Sequence, residues 1–105
     1  MEIIFINRQH TLSFMAQVII TFKILPDSPD EDLSVIQEKS EHLINEFGGE
    51  LGKAERDPIG FGLIALKLIF IMDESLGSTE DLEEKISSLP EVASVEVVDV
   101  RRAIG

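Results

Sequence analysis

Side chains that could carry out covalent chemistry are few in this chain and far apart. There is no cysteine, and the two histidines are His10 and His42. A disulfide, a thiolate metal site and a cysteine nucleophile are therefore excluded. Glu38 and His42 could share a helix face, as metal ligands do, but a solvated pair explains the same spacing. Six serines have no histidine or lysine placed to activate them: Ser34, Ser40, Ser75, Ser78, Ser87 and Ser88. We expect no enzyme, no cofactor and no metal site.

Two other patterns suggest ligand binding only at first sight. The pair Gly60-x-Gly62 is too short for a dinucleotide fingerprint and precedes a strand pattern instead of following one. The acidic run from Glu80 to Glu84 lacks the spacing of a calcium loop, so it is typical of a solvated helix start.

The remaining notable motif is Asp57-Pro58-Ile59-Gly60-Phe61-Gly62, which leads directly into an apolar segment. Glycine adopts backbone angles that other residues avoid and allows another surface to approach closely. Phe61 between two glycines is therefore either a core ring that fixes a turn or a contact presented to a partner. Residue chemistry alone leaves both interpretations open.

The composition narrows the class of partner. The 105 residues include 9 Lys and Arg against 20 Asp and Glu, a formal net charge of −11. Because nucleic-acid binding relies on dense positive charge, no direct nucleic-acid partner is expected. No apolar run is long enough to span a bilayer, so we expect no membrane contact, and the absence of cysteine suits the cytoplasm.

The chain divides into a short appendage and one domain. Residues 1–14 carry a short apolar piece but not the order of a signal peptide, which places basic residues first. We interpret them as an appendage, with Met15 as an alternative start or with an added edge strand, and residues 15–105 as the domain.

Periodicity predicts six elements in the order β-α-β-β-α-β. Strand composition and helical apolar stripes alternate between turn residues. A slip of the alternation at Val97-Val98 indicates a bulge in the last strand. The predicted segments are strand 17–25, helix 31–47 ended by Gly48-Gly49, an exposed edge strand 50–58, a central strand 63–72, a second helix capped by Ser78 or Thr79 and stopped by Pro90, and strand 92–100.

This order predicts an α+β, ferredoxin-like βαββαβ sandwich: a four-stranded antiparallel sheet with two helices on one face. RNA-binding versions of the fold stack bases on strand aromatics, but this chain has no Tyr or Trp. A small-molecule-sensing regulatory domain of the amino-acid-binding type remains an alternative function, and a bare adaptor module is a third.

A second candidate contact follows the predicted last strand. Arg101-Arg102 is a pair of cations near the end of an acidic chain. An exposed phenylalanine and arginines are frequent hot spots of protein interfaces, and an arginine also suits a phosphate. The same pair could equally be ordinary surface charge.

These features together resemble the archaeal elongation factor 1-beta family and the C-terminal exchange domain of its eukaryotic counterpart. The resemblance rests on Pro58 to Leu63, on the acidic stretch before the second helix and on Val98-Asp99-Val100-Arg101-Arg102. The opening Met15 to Val18 and the turn Pro26 to Pro29 also fit the archaeal form.

The resemblance implies guanine nucleotide exchange on the GTPase elongation factor 1-alpha. In the eukaryotic domain the motif phenylalanine, matched by Phe61, contacts the GTPase, and a lysine near the C-terminus reaches its magnesium and phosphate site. Arg102 is the best match to that lysine, with Arg101 beside it. The implied partner-binding residues are Ile59, Gly60, Phe61, Gly62, Arg101 and Arg102. Together with the lack of a catalytic set, the resemblance favours an outward Phe61.

Overall fold

The computed structural model describes residues 16–103, so the predicted appendage at residues 1–14 lies outside the described residues. The elements follow the predicted order. They are strand β1 (Gln17–Pro26), helix α1 (Leu33–Phe47), strands β2 (Glu50–Gly60) and β3 (Leu63–Asp73), a 3₁₀ turn (Glu74–Leu76), helix α2 (Glu80–Ser87) and strand β4 (Val92–Ala103).

The four strands form one sheet in the order β2-β3-β1-β4, and every neighbouring pair is antiparallel. The predicted ferredoxin-like sandwich is therefore confirmed, with β3 central and β2 at the edge. Val98 is skipped where the β1–β4 pairing moves from Thr21–Asp99 to Phe22–Val97. This register shift is the bulge that the slipped alternation predicted.

The core lies between the sheet and the two helices. Alternate residues of β1 and β3 point into it, and Phe22 meets Phe70 edge-to-face with ring centroids 5.0 Å apart. Helix residues that include Ile36, Ile44 and Ile86 close this core. Burial of these side chains supplies the main driving force for folding.

The face of the sheet opposite the helices is partly exposed. No second layer of described residues covers it, and Ile71 on β3 is 38% exposed. Strand β3 lies between β2 and β1, so side chains of these neighbours partly shield its open-face residues from water. This central position accounts for part of its apolar composition. We call this surface the open face.

The helix boundaries have local causes. Helix α1 begins at Leu33, two residues later than predicted, because the Asp32 carboxylate accepts the Ser34 N–H at 2.9 Å and caps the helix. It ends as predicted at Gly48, whose φ of 109° and N–H bond to the Ile44 carbonyl close the last turn.

The start of α2 corrects one detail of the sequence analysis. Of the two predicted caps, Thr79 is the residue directly before the helix, but its side chain makes no capping bond to the backbone. The side-chain bond is instead donated by the Thr79 hydroxyl to the Glu83 carboxylate at 2.6 Å, while the Ser78 hydroxyl accepts the Glu80 N–H. The helix begins at Glu80, so Glu83 stands one turn after Thr79 and is the acid within reach.

Candidate functional site

The turn between β2 and β3 is tighter than the sequence suggested. Pairing continues to Gly60 opposite Leu63, which leaves a loop of only Phe61 and Gly62. Both have positive φ, 55° and 77°, the signature of the hairpin turn that usually carries Asn-Gly. Phe61 is the one non-glycine residue with positive φ among residues 16–103.

Phe61 extends into solvent. Its relative accessibility is 102%, the largest of the exposed large hydrophobic residues in the described part of the chain. Ile59, 39% exposed, lies beside it, at a point where the β2–β3 register shifts between Pro58 and Gly60. The shift leaves Ile59 outside the regular ladder, as in a β-bulge that re-aims a side chain. The structure thus places Phe61 outward instead of in the core.

The arginine pair lies inside β4. This corrects the prediction that it follows the last strand. Strand β4 runs to Ala103, with Arg101 opposite Ile19 and Arg102 opposite Val18. Because side chains alternate along a strand, the two arginines lie on opposite faces of the sheet. Arg101 is on the open face, and Arg102 is on the face that carries the helices.

The two guanidinium groups have different partners. Arg101 donates from Nε to Asp99 of its own strand at 2.9 Å. Arg102 donates from one nitrogen, Nη2, to Glu74, with 2.6 Å to Oε1. The Glu74 carboxylate raises the pKa of Arg102, first through this hydrogen bond and then through its charge. A guanidinium has five N–H donors, so most of those of Arg102 are left for a partner.

Glu74 was not identified from the sequence, although it lies in the segment predicted to be a loop. It begins the 3₁₀ turn after β3, and its N–H donates to the Ala16 carbonyl at 2.6 Å. Asp73 accepts the Ser75 N–H at 2.8 Å, and this bond lowers the pKa of Asp73. The only sequence signal was acidic residues directly after a strand.

The six predicted contact residues form two groups instead of one. Ile59, Gly60, Phe61 and Gly62 lie at the turn, which we call the hairpin end, while Arg101 and Arg102 lie at the other end of the sheet, the arginine end. Leu63 marks the first end on β3 and Met72, which pairs with Val18, marks the second. These two residues are nine positions apart along the strand, a distance of about 30 Å.

The remaining candidate from the sequence, a metal pair at Glu38 and His42, gains no support among the described residues. Among them no group of three or more His, Asp or Glu side chains could hold a metal ion. His42 pairs with Glu46 at 3.3 Å, and both are largely exposed. No helix of the described residues is long and apolar enough to cross a membrane. The sheet carries one group of the predicted contact residues at each end.

Comparison with solved structures supports the fold alone. The C-terminal domain of the MgtC protein from Mycobacterium tuberculosis superposes with a TM-score of 0.60 and covers 87% of this chain and 94% of that domain. Its sequence identity is 17%, so it carries no information on function.

Comparison with protein families and curated sequences defines the class. Residues 19–103 match the EF-1 guanine nucleotide exchange domain, so the protein is an exchange domain of translation elongation. It is 44% identical to elongation factor 1-beta of Methanobrevibacter smithii over 84% of this chain and 98% of that protein. The same factor from Methanothermobacter thermautotrophicus is 41% identical over the same shares, and that from Staphylothermus marinus is 39% identical over 84% and 98%.

The chain belongs to the archaeal elongation factor 1-beta family, and its role is guanine nucleotide exchange in translation elongation. The resemblance identified from the sequence is confirmed, and the regulatory amino-acid-binding alternative is not favoured.

Proposed function

We propose that this chain promotes release of GDP from elongation factor 1-alpha by contacting that GTPase at both ends of its sheet. The hairpin end supplies binding, and Arg102 at the arginine end acts on the nucleotide site. The observation that supports the proposal best is Phe61: an aromatic ring fully exposed on a strained turn.

Phe61 is an unfavourable choice for stability at its position. Positive φ costs a non-glycine residue about 1–2 kcal/mol, and asparagine tolerates it best because its short polar side chain bonds locally. The ring also contributes no burial in the free protein. Strained residues of this kind concentrate at functional sites, and aromatic side chains are enriched among interface hot spots.

Arg102 has the chemistry to displace magnesium and phosphate contacts. Its guanidinium is a fixed positive charge whose planar fork matches phosphate oxygens. A cation brought within a few ångströms of a Mg²⁺ ion disfavours that ion by like-charge repulsion. The bond to Glu74 engages one nitrogen, so Arg102 can be held in place while its other donors contact the GTPase.

Exchange then requires binding alone and no covalent step, so the chain acts without being a catalyst of bond chemistry. An exchange factor must bind the nucleotide-free GTPase more tightly than the GDP-bound form. Contact at the hairpin end can hold the complex together while the arginine end competes with the nucleotide. Because the family acts in translation elongation, we place this activity in the cytoplasm.

The direct test is release of fluorescent GDP from the cognate elongation factor 1-alpha. The protein at micromolar concentration is expected to accelerate release, and an unchanged rate would disprove the proposal.

The Phe61→Asn variant separates function from folding. Asparagine suits the turn, so the melting temperature should stay equal or rise. The half-saturating concentration in the exchange assay should increase about 30-fold, which corresponds to the loss of a hot spot of about 2 kcal/mol. Normal exchange by this more stable variant would remove Phe61 from the contact surface.

A further inference from the structure

A cleft opens beside Phe61 that the sequence motif does not reveal. Its volume is about 210 Å³. One wall is the loop between β1 and α1, and the other is the β2–β3 hairpin, which leans toward that loop. Residues that line it include Pro29, Glu31, Leu33, Arg56, Gly62 and Ile64.

Gly62 borders the cleft where the hairpin meets the loop. A Cβ built at Gly62 would lie 3.8 Å from the Cβ of Pro29, in contact with the opposite wall. A longer side chain there would therefore reach into the cleft. Glycine at this position serves two needs, the positive φ of the turn and the width of the opening.

Exposed apolar surface continues from the turn into the cleft. Ile59 and Phe61 lie at the turn, and Ile64, 36% exposed, lines the cleft close by on β3. Large apolar side chains exposed together, next to a concave surface and rimmed by polar groups, are typical of protein interaction sites. The natural occupant of such a cleft is an apolar side chain of the partner.

The rim carries an excess of negative charge. Glu31 and Asp32 line the cleft against the single cation Arg56, and the same loop also carries Asp27 and Asp30. The Asp32 carboxylate is already engaged as the cap of α1, which leaves the other acids of the loop for a partner. Complementary charge accelerates encounter and selects partners, so the facing surface should be basic.

We propose that elongation factor 1-alpha inserts an aliphatic side chain into this cleft and surrounds it with lysine or arginine residues that face the acidic rim. The inference rests on the proposed exchange function and adds a specific docking surface, continuous with Phe61. It makes Ile64 and Glu31 contact residues, neither of which belongs to the sequence motif.

Two isoleucines of β3 provide a matched test. Ile64 and Ile71 are 36% and 38% exposed, but Ile64 lines the cleft and Ile71 lies on the open face. Ile64→Ser should raise the half-saturating concentration in the GDP-release assay about tenfold, and Ile71→Ser should leave it within twofold. Melting temperatures report whether either variant is unfolded.

Methyl NMR gives a readout independent of exchange and of any variant. With isoleucine methyl groups labelled in the wild-type protein, addition of nucleotide-free elongation factor 1-alpha should shift or broaden the Ile64 signal and leave that of Ile71. Equal changes at both, or a change at Ile71 alone, would overturn the cleft as the docking site.

Charge reversal tests the rim. Glu31→Lys should slow association at low salt about fivefold and flatten its dependence on ionic strength, whereas Glu38→Lys, an exposed control further along α1, should do neither. If wild-type protein accelerates release and Phe61→Asn impairs it, while Ile64→Ser and Glu31→Lys behave like their controls, the cleft proposal fails and the exchange proposal stands. No acceleration by the wild type would disprove both.

Discussion

The two ends of the sheet present different kinds of surface. At the hairpin end an aromatic ring is exposed on a turn that disfavours it, next to a cleft lined by both apolar and charged residues. At the arginine end the side chains are charged and already paired, Arg102 with Glu74 and Arg101 with Asp99. Burial of apolar surface supplies binding energy, whereas a positioned charge acts on another charge. Under the proposed function, the hairpin end would bind the GTPase and the arginine end would perturb its nucleotide.

The sheet that connects the ends packs on one continuous buried core. Phe22 and Phe70 lie in the core midway along β1 and β3, and both are completely buried. Closely packed cores transmit displacement with little compression. A contact at the hairpin end therefore fixes the position of Arg102 about 30 Å away.

Combining changes at both ends should give the largest effect. Phe61→Asn is expected to raise the half-saturating concentration about 30-fold. Arg102→Ala is expected to lower the maximal rate of GDP release about tenfold. Sites this far apart are expected to contribute independently. The maximal rate divided by the half-saturating concentration should therefore fall about 300-fold in the double variant. Full exchange titrations of the four proteins give both parameters.

A double variant no worse than the poorer single variant would contradict this division. It would indicate that the two ends act in one step and cannot be assigned separate roles.

Altering the turn without touching the ring should have the next largest effect. Gly60 has a φ of 112° and open space around its Cα, so Gly60→Ala changes only the backbone preference. We expect a loss of about 1–2 kcal/mol in the free energy of unfolding and a fivefold rise in the half-saturating concentration. Denaturant titration measures the free energy of unfolding, and the exchange assay measures the half-saturating concentration. Gly52→Ala on the same strand, at ordinary contact distance from the Ile69 carbonyl, is the control and should change neither appreciably.

Removing the partner of Arg102 should have a smaller effect. In Glu74→Gln the guanidinium loses its ion pair and must be ordered when the GTPase docks, which costs side-chain entropy. The maximal exchange rate should fall about threefold, and Asp99→Asn, which frees Arg101 instead, should leave it unchanged. A faster Glu74→Gln variant would show that Glu74 competes with the GTPase for Arg102 instead of positioning it.

Acid should weaken the arginine end through Asp73, with the smallest effect of all. The Ser75 N–H lowers the pKa of Asp73 below its ordinary value of 3.8, so the stabilisation is complete above that value and is lost as pH falls through the lower one. The Ser75 amide signal in NMR should titrate in this range. The difference in melting temperature between the wild type and Asp73→Asn should shrink from pH 6 to pH 3, and a constant difference would contradict the role of this carboxylate.

Local signals in the sequence predicted most of the fold. Periodicity and β-branched composition located all four strands and both helices, Gly48 marked the end of α1, and the slip at Val97-Val98 marked the bulge. The errors fell at element boundaries. Asp32 moved the start of α1, both Ser78 and Thr79 form side-chain bonds at the start of α2, and β4 continues through Arg101 and Arg102.

The candidate site was predictable as a set of residues but not as an arrangement. The motif around Phe61 and the resemblance that it carries could be recognised without coordinates. The partner of Arg102 could not be recognised in this way. Glu74 lies 28 residues earlier in the chain, and it meets Arg102 only through the pairing of β3, β1 and β4.

The sequence by itself determined the family, the order of the elements and the motif that contains Phe61, since these depend on residue type and short-range spacing. Only the tertiary structure decided that the contact residues form two groups at opposite ends, that Arg101 and Arg102 face opposite sides, and that a cleft lies beside Phe61. Those facts depend on strand register and on which loops meet, and register is set by burial of the whole sheet rather than by any one segment.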